Sequence, residues 1–226
     1  MSQHLRKVRS FVRRNGRTTA KQKNALETLW PQFGIEYQPR PCALNDFFKN
    51  NALLNVEIGF GMGEALVQSA QNNPDQNYVG IEVHDPGIGN VLNQISELSL
   101  KNIRVISHDA VEVLDNQFEN QSIDSICIFF PDPWHKKRHN KRRLLNEKFA
   151  QLVADKLKAS GKLFIATDWQ NYAEQILSVF NGNSDFKNLS DDNTYCPRID
   201  FRPLTKFEKR GQRLGHDVWD FIYQRR

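Results

Sequence analysis

The residues best suited to chemistry lie in one short stretch near the middle of the chain. Residues 128–134 are Ile-Phe-Phe-Pro-Asp-Pro-Trp, so an apolar strand leads directly into a carboxylate between two prolines. Each proline fixes φ and lacks an N–H donor, which stiffens the turn that carries Asp132. A carboxylate can accept from guanine N1–H and N2–H₂ together, and Trp134 could stack on a base. The stretch suggests an enzyme acting on one nucleic-acid base; burial of Trp134 in the core is the structural alternative.

Basic residues are concentrated in three clusters. Six lysines and arginines occur between Lys136 and Arg143, and two further clusters lie at residues 6–17 and 206–213. The net charge of +5 is modest, so the distribution of charge matters more than the total. Three clusters beside a chemical motif predict an anionic polymer as partner. For residues 6–17, phosphate contacts and solvated disorder both remain open.

A glycine-rich turn is the second candidate site. Residues 56–63 are Val-Glu-Ile-Gly-Phe-Gly-Met-Gly, which places Glu57 ahead of Gly59, Gly61 and Gly63. Glycines let a backbone turn sharply and approach a ligand closely. The spacing differs from the dinucleotide motif G-x-G-x-x-G, and a carboxylate is poorly placed beside a pyrophosphate. S-adenosylmethionine carries a sulfonium and an ammonium instead, so the pattern favours that cofactor over NAD.

Two further acids follow the next predicted strands. Glu82 could accept from both ribose hydroxyls of an adenosine, and Asp109 could accept from the adenine amino group. Either acid could instead cap a helix. Because the carboxyl ends of parallel strands meet at one edge of a sheet, three acids in register favour a cofactor site.

Later in the chain, Asp168 and Trp169 supply another acid and ring at the end of a predicted strand. Residues 205–208 are Thr-Lys-Phe-Glu, where Glu208 could accept from a guanine edge and Lys206 could reach a phosphate. Thr205 and Glu208 are also spaced as a capping box, and the two interpretations have equal local support. His135 and His139 lie four residues apart without a third ligand nearby and with cations between them, so no metal site is predicted.

An alternating pattern from residue 53 onward supplies the scaffold that these residues need. Short apolar strands alternate with helices, which predicts a parallel sheet covered on both faces. The last two predicted strands do not follow the strand–helix alternation, because no long helix directly precedes the last one. This predicts an antiparallel pair at one edge of the sheet. The predicted strands are Leu53–Ile58, Tyr78–Val83, Ile103–Ser107, Ile123–Phe130, Lys162–Thr167, Phe186–Leu189 and Val218–Gln224. The predicted helices are Ala20–Trp30 (ended by Pro31), Leu44–Lys49, Gly63–Gln71, Gly89–Leu98, Ala110–Leu114, Leu145–Leu157, Trp169–Phe180 and Leu204–Arg213.

Composition sets the broad class. The chain has 226 residues, of which 39% are hydrophobic and 25% charged, as in an ordinary globular domain. No apolar run approaches the roughly 20 residues that span a bilayer, and the basic start lacks the apolar stretch of a secretion signal. A cytoplasmic protein with reduced cysteines is therefore expected.

With these residues assembled, the chain resembles the bacterial tRNA (guanine-N7)-methyltransferases, a class I S-adenosylmethionine-dependent family. Five segments carry the resemblance: E-I-G-F-G-M-G at 57–63, G-I-E-V-H at 80–84, F-P-D-P-W-H-K-K-R-H at 130–139, T-D-W at 167–169 and T-K-F-E at 205–208. The third is highly specific, whereas the glycine turn alone would indicate only a methyltransferase.

The resemblance implies an α/β class I methyltransferase fold: a Rossmann-like, mostly parallel seven-stranded sheet with helices on both faces and an antiparallel last strand. We expect a basic arm at 1–17, a helical segment packed on the core at 18–52 and the methyltransferase domain at 53–226. The implied reaction transfers a methyl group from S-adenosylmethionine to N7 of a guanosine in the tRNA variable loop, position forty-six, and leaves S-adenosylhomocysteine.

The resemblance also assigns site residues. Asp132 would act in catalysis. The cofactor would contact Glu57, Gly59, Gly61, Gly63, Glu82, Asp109 and Asp132. The substrate would contact Lys136, Asp168, Thr205, Lys206, Phe207 and Glu208. The RNA would contact Arg138, His139, Asn140, Lys141, Arg142 and Arg143.

Two other functions remain open. An amino-group methyltransferase acting on adenine or on a protein side chain would use a similar Asp-Pro-aromatic turn. A noncatalytic RNA-binding module could keep the same fold, although acids at three strand ends argue against it. The expected partner is tRNA, with no membrane or metal, and the protein is expected to be a monomer or a homodimer.

Overall fold

A mixed sheet forms the centre of the fold in the computed structural model, which describes residues 10–11, 16–42, 44–204, 208 and 217–226. Within these residues the sheet has eight strands in the order β1-β4-β3-β2-β5-β6-β8-β7. Strands β1 to β6 run parallel, and β8 is antiparallel to both β6 and β7. The strands are β1 (Gly34–Ile35), β2 (Leu54–Ile58), β3 (Asn77–Glu82), β4 (Ile103–Ser107), β5 (Ile123–Phe129), β6 (Leu157–Thr167), β7 (Phe186–Asn188) and β8 (Trp219–Arg225).

Helices connect the strands. The α-helices in the described ranges are α1 (Ala20–Thr28), α2 (Trp30–Phe33), α3 (Glu64–Asn72), α4 (Asp85–Glu97), α5 (Ala110–Gln117), α6 (Glu147–Lys156) and α7 (Gln170–Asn181). Two 3₁₀ helices, η1 (Leu44–Phe47) and η2 (Lys137–Arg142), lie in the connections. None of the helices in these ranges has the length and apolarity that a bilayer crossing requires.

The core occupies both faces of the sheet. Tyr78 and Val105 pack with α1, α3 and α4 in one apolar cluster. Val79 and Ile106, their neighbours in sequence, pack with α5, α6 and α7 in another. Because consecutive strand residues point to opposite faces, this division places helices on both sides of the sheet. The predicted mostly parallel α/β fold with an antiparallel last strand is confirmed.

Several boundaries differ from the sequence prediction. The sheet has one strand more than the seven predicted. This additional strand, β1, pairs Gly34 with Val105 and is too short to show an apolar period. Pro31 does not end a helix but lies in the first turn of α2, where proline's missing N–H costs nothing. Strand β6 begins at Leu157, earlier than predicted, and its pairing with β5 contains a register shift. The helix predicted at Leu204–Arg213 lies outside the described residues except for Leu204 and Glu208.

The N-terminal segment packs on α4. Helix α1 starts with a capping box between Thr19 and Gln22. A Cβ on Gly89 would lie 2.6 Å from the Gln22 carbonyl oxygen, so glycine at 89 permits the close approach of α1 to α4. Of the predicted basic arm, residues 1–9 and 12–15 lie outside the described residues.

Candidate active site

The strand order reverses beside β2, and this reversal positions the candidate site. The chain runs outward from β2 through β3 to β4, and then returns to place β5 on the other side of β2. Ligands of open α/β sheets bind at such a switch point, beyond the carboxyl ends of the strands. A cavity of about 420 Å³ lies there, within the usual size of a small-molecule site. Its walls are Ser10, Phe11, Ile58, Gly59, Ile81, Glu82, Val83, His84, His108, Ala110, Ile128, Phe129, Phe130, Pro131, Asp132 and Leu144.

The glycine turn after β2 forms one edge of this cavity. Gly59 and Gly61 have φ of 70° and 56°, a conformation that side chains disfavour, and a Cβ on either would meet no atom within 4 Å. Both glycines therefore leave open space beside the backbone. Gly63 differs, because a Cβ there would lie 2.0 Å from Val91 Cγ2. Its role in the structure is to pack the start of α3 against α4.

Glu82, at the end of β3, connects that strand to the glycine turn. Its Oε2 accepts a hydrogen bond from the Gly61 N–H at 2.9 Å. Its Oε1 accepts from the N–H groups of Val83 at 2.6 Å and His84 at 3.1 Å. The carboxylate thus lies in the cavity wall and is hydrogen-bonded both to the glycine turn after β2 and to the residues that follow β3.

Glu57 is buried instead of facing the open cavity. Its neighbour Ile58 lines the cavity, and side chains of consecutive strand residues point to opposite faces. Glu57 is 8% exposed, and burial together with the nearby Glu82 raises its pKa to about 8. A direct contact between Glu57 and the cofactor stays a prediction.

Asp109 caps helix α5, which is the alternative that the sequence left open. Its Oδ1 accepts from the Val111 N–H at 3.0 Å. The residues on either side, His108 and Ala110, line the cavity, and the His108 ring stacks on Tyr37 with centroids 3.7 Å apart. An adenine contact by Asp109 stays a prediction.

The turn that carries Asp132 has an unusual backbone. Phe130 and Trp134 have φ of 51° and 47°, so two non-glycine residues in the left-handed region bracket Pro131, Asp132 and Pro133. Such conformations cost about 1–3 kcal/mol each and persist only where the surroundings impose them. Asp132 is exposed and lines the cavity. The turn therefore presents the predicted catalytic carboxylate at the cavity wall.

Trp134 is half-buried and lies outside the apolar core. Its Nε1 donates to the Ser10 carbonyl at 3.1 Å. The Arg142 guanidinium lies 4.8 Å from the indole centroid, and the His139 ring meets the indole edge-on at 5.9 Å. The indole therefore packs against two side chains of η2.

Most of the predicted substrate and RNA contacts that the structure describes are exposed or half-buried. Lys136, Arg138 and Lys141 are exposed, and His139, Asn140 and Arg142 are half-buried on η2. Asp168 is exposed at the end of β6, and the ring of its neighbour Trp169 meets the His135 ring edge-on at 4.2 Å. The end of β6 and the residues after the Asp132 turn therefore adjoin one another.

Arg143 differs from the exposed members of the basic run. Its side chain is buried, with the residue only 2% exposed. Its Nε donates to the Pro133 carbonyl at 2.8 Å, and its remaining nitrogens donate to Asn171 and Gln175 of α7. In this position the guanidinium faces the protein interior, and the RNA contact of Arg143 stays a prediction. The sequence alone does not indicate that Arg143, the last residue of the basic run, points inward.

Glu208 also lies in an unexpected environment. Its carboxylate accepts two hydrogen bonds from Arg202, at 2.6 and 2.9 Å, and both side chains are 1% exposed. Arg202 also donates to Asp220 of β8 and lies 5.1 Å from the Phe130 ring centroid. The substrate role of Glu208 stays a prediction, and Thr205, Lys206 and Phe207 lie outside the described residues. Sequence reasoning missed Arg202 and Asp220 because their positions carry no motif.

Comparisons with known proteins agree with this arrangement. A methyltransferase family model, Methyltransf_4, matches residues 51–221. The chain is 54% identical over 222 residues to the tRNA (guanine-N(7)-)-methyltransferases of Yersinia pestis (strain Pestoides F) and Serratia proteamaculans (strain 568), covering 98% of this chain and 93% of each relative. The solved structure of the 16S rRNA methyltransferase KamB has a similar fold, with a TM-score of 0.61 at 12% identity over 83% of this chain and 95% of that one. The chain belongs to the tRNA (guanine-N7)-methyltransferase family.

Proposed function

We propose that this protein transfers the methyl group of S-adenosylmethionine to N7 of a guanosine in tRNA, at position forty-six of the variable loop. One observation carries the proposal: Glu82, the last residue of β3, and Asp132, which follows β5, line the same cavity. Residues 136–142, the basic segment, start four residues after Asp132 and carry exposed cations. One carboxylate is then available to a cofactor and the other to a base beside a polyphosphate backbone. Membership of the family supports the same reaction.

The cavity fits S-adenosylmethionine better than a dinucleotide. Among the described residues of its walls there is no lysine or arginine to hold a pyrophosphate. Gly59 and Gly61 leave the space beside the turn open. Glu82 accepts three N–H groups and, because a carboxylate offers about four acceptor positions, it can also accept from a ribose hydroxyl. Asp109 and Glu57 are the further proposed contacts.

The chemistry asks little of the protein beyond alignment. S-adenosylmethionine supplies an electrophilic methyl group on a sulfonium. Guanine N7 carries a free lone pair, so the N–C bond would form as the S–C bond of the donor breaks, and no residue would have to remove a proton. The base becomes cationic, and the Asp132 carboxylate favours that developing charge while it accepts from the guanine edge. Holding the two reacting atoms in line supplies most of the rate.

The RNA backbone would lie along the basic segment. Lys136, Arg138 and Lys141 are exposed beside the Asp132 turn. Cations that neutralise phosphates release counterions, which makes binding strong at low salt and independent of sequence. Asp168, exposed at the next strand end, is the proposed further contact for the target nucleoside.

A methylation assay tests the proposal. Purified protein and labelled S-adenosylmethionine are incubated with an unmodified tRNA transcript, and the product is cleaved with aniline, which cuts at N7-methylguanosine. We expect label incorporation and one cut in the variable loop. A matched transcript with adenosine at that position should take up no label. Label recovered as N6-methyladenosine, or no uptake by either transcript, would overturn the assignment.

A further inference from the structure

The guanidinium of Arg143 connects the Asp132 turn to helix α7. Its Nε donates to the Pro133 carbonyl at 2.8 Å, next to Asp132 itself. Its Nη1 donates to Gln175 Oε1 at 2.7 Å, and its Nη2 donates to Asn171 Oδ1 at 2.9 Å. A planar guanidinium with several donors in fixed directions can make all of these bonds together. The turn and the helix are therefore joined through one side chain.

The helix end of this connection is firmly anchored. The Arg143 guanidinium lies 4.8 Å from the ring centroid of Tyr172, a fully buried residue whose hydroxyl accepts from the Leu145 N–H at 3.0 Å. Gln175 Nε2 in turn donates to the Leu145 carbonyl at 3.2 Å. Arg143 therefore contacts Tyr172 and Gln175, and both of these side chains are hydrogen-bonded to the backbone of Leu145, which is buried.

The turn needs an external support of this kind. Its two prolines have no N–H, so residues 131 and 133 cannot donate to a carbonyl within the turn. The left-handed φ at Phe130 and Trp134 disfavours the observed conformation locally. The Pro133 carbonyl, between these strained positions, is the group that Arg143 holds.

We propose that Arg143 is a positioning residue for methyl transfer: by holding the Pro133 carbonyl against α7, it fixes the turn that presents Asp132 to the cavity. The inference rests on the proposed function. In this proposal the residues of the basic run have two different roles. The exposed cations at 136–142 bind the RNA, whereas Arg143 faces inward and supports the turn. Arg143 therefore contributes to the rate at saturating tRNA and leaves the affinity for tRNA unchanged.

Single-turnover measurements on two variants test this division. Arg143→Lys keeps the charge and loses the fork of donors, whereas Arg143→Met loses both. We expect the rate at saturating tRNA and S-adenosylmethionine to fall at least tenfold in each variant, with tRNA Kd within twofold of wild type at every salt concentration. Rates are divided by the fraction of protein that binds S-adenosylmethionine, so that loss of folded protein does not count.

Arg104 offers a matched control. Its guanidinium also donates to backbone carbonyls, those of Phe47 and Ile103, and also lies over an aromatic ring, that of Phe48. It lies near the start of β4, at the opposite end of the parallel strands from the cavity. We expect Arg104→Lys to leave the single-turnover rate unchanged.

Two results would overturn the inference. A wild-type rate in Arg143→Lys would show that the donor geometry is unimportant. A weaker tRNA affinity in Arg143→Met, with the slope of log K against log salt reduced by about one, would restore the phosphate contact. In both cases wild-type protein remains active, so these results are distinct from a failure of the proposed function, in which wild type itself methylates no guanine.

A variant of the partner keeps the test informative if Arg143→Met does not fold. Gln175→Leu removes one anchor and leaves Arg143 in place. We expect about a threefold lower single-turnover rate, and a smaller effect of Arg143→Lys in this background than in wild type, because residues that act through one network are not additive. Full additivity, or an unchanged rate in Gln175→Leu, would count against the connection.

Discussion

Glu82 accepts a hydrogen bond from the backbone N–H of Gly61, with 2.9 Å between oxygen and nitrogen. The end of β3 thereby holds the glycine turn that follows β2, and the same carboxylate lies in the wall of the cavity. Glu82 therefore organises the turn, and in the proposed function the same side chain would also contact the ribose.

Replacement of Glu82 should weaken the cofactor site. We expect Glu82→Ala to raise the Kd for S-adenosylmethionine more than tenfold, because both the turn's acceptor and the ribose acceptor are lost. Glu82→Gln, which keeps one oxygen, should have a smaller effect. Isothermal titration calorimetry measures both. Glu97→Gln is the control, since Glu97 is the last residue of α4, at the opposite end of the helix from the cavity, and forms a surface pair with Lys21. An unchanged Kd in Glu82→Ala would exclude the ribose contact.

Asp132 should matter for turnover more than for cofactor binding. Asp132→Asn keeps the size of the side chain but presents an amide NH₂ to the donors of guanine and removes the negative charge. We expect kcat to fall about a hundredfold or more, in line with the loss of one electrostatic contact in a transition state. The Kd for S-adenosylmethionine should stay within about threefold. Asp155→Asn, an exposed change on α6, serves as control. Equal losses in kcat and in cofactor affinity would contradict this separation.

Burial of Glu57 predicts a pH-dependent stability. Its pKa is raised from 4.5 to about 8 by burial and by the nearby Glu82. Between these two pH values the folded protein binds more protons at this site than the unfolded chain, so the free energy of unfolding falls as pH rises. The thiol of Cys127, whose pKa is also raised by desolvation and by Glu57, adds no charge in this window.

Glu57→Gln should remove this dependence, because an amide of the same shape does not ionise. We expect the variant to gain about 1–3 kcal/mol of unfolding free energy relative to wild type between pH 5.5 and 7.5, since the slope is at most about 1.4 kcal/mol per pH unit. Urea denaturation at both pH values measures the gain. A difference between variant and wild type that does not change with pH would show that Glu57 does not titrate in this range.

The basic segment should control the salt dependence of RNA binding. Arg138 and Lys141 are exposed on η2. Loss of either cation should weaken tRNA binding at low salt and reduce the slope of log K against log salt by about one. Filter binding from 50 to 300 mM salt measures the slope. Lys148→Ala, which removes an exposed cation from α6, should leave the slope unchanged. Equal slopes in all three variants would place the RNA elsewhere.

Local patterns predicted the fold and the cavity because both depend on short-range signals. The leucine, isoleucine and valine side chains of β2 to β5 are buried, and the residues after these strands had to gather at one edge. The prolines around Asp132 and the glycines at 59 and 61 restrict or permit particular backbone conformations, and these effects follow directly from the residue types. The two-residue strand β1 has no such signal.

Contacts between distant residues could not be predicted in the same way. Arg143 belongs to a basic run, and nothing in that run indicates that Asn171 and Gln175 will accept from it. Glu208 is spaced as a cap or a substrate contact, yet its burial is decided by Arg202 and by Asp220 on β8. The direction of a charged side chain depends on partners that only the fold brings together.

The pairing of Arg202 with Asp220 predicts a large stability effect. Arg202 is 1% exposed and donates to both carboxylate oxygens of Asp220 at 3.1 Å. Asp220→Asn leaves the Arg202 charge paired with Glu208, but it turns one acceptor oxygen into an NH₂ group that faces the guanidinium. We expect the unfolding free energy to fall by about 1–3 kcal/mol, the cost of leaving a buried hydrogen-bonding group without a partner.

The surface pair of Lys21 and Glu97 gives the contrasting case. Its side chains are 69% and 56% exposed, and such pairs contribute about 0–1 kcal/mol. Urea denaturation of Asp220→Asn and Glu97→Gln compares the two directly. Because Arg202 also lies over Phe130 at the start of the Asp132 turn, Asp220→Asn should lower the methyl-transfer rate as well. A stable Asp220→Asn protein with the wild-type rate would show that this network does not support the turn.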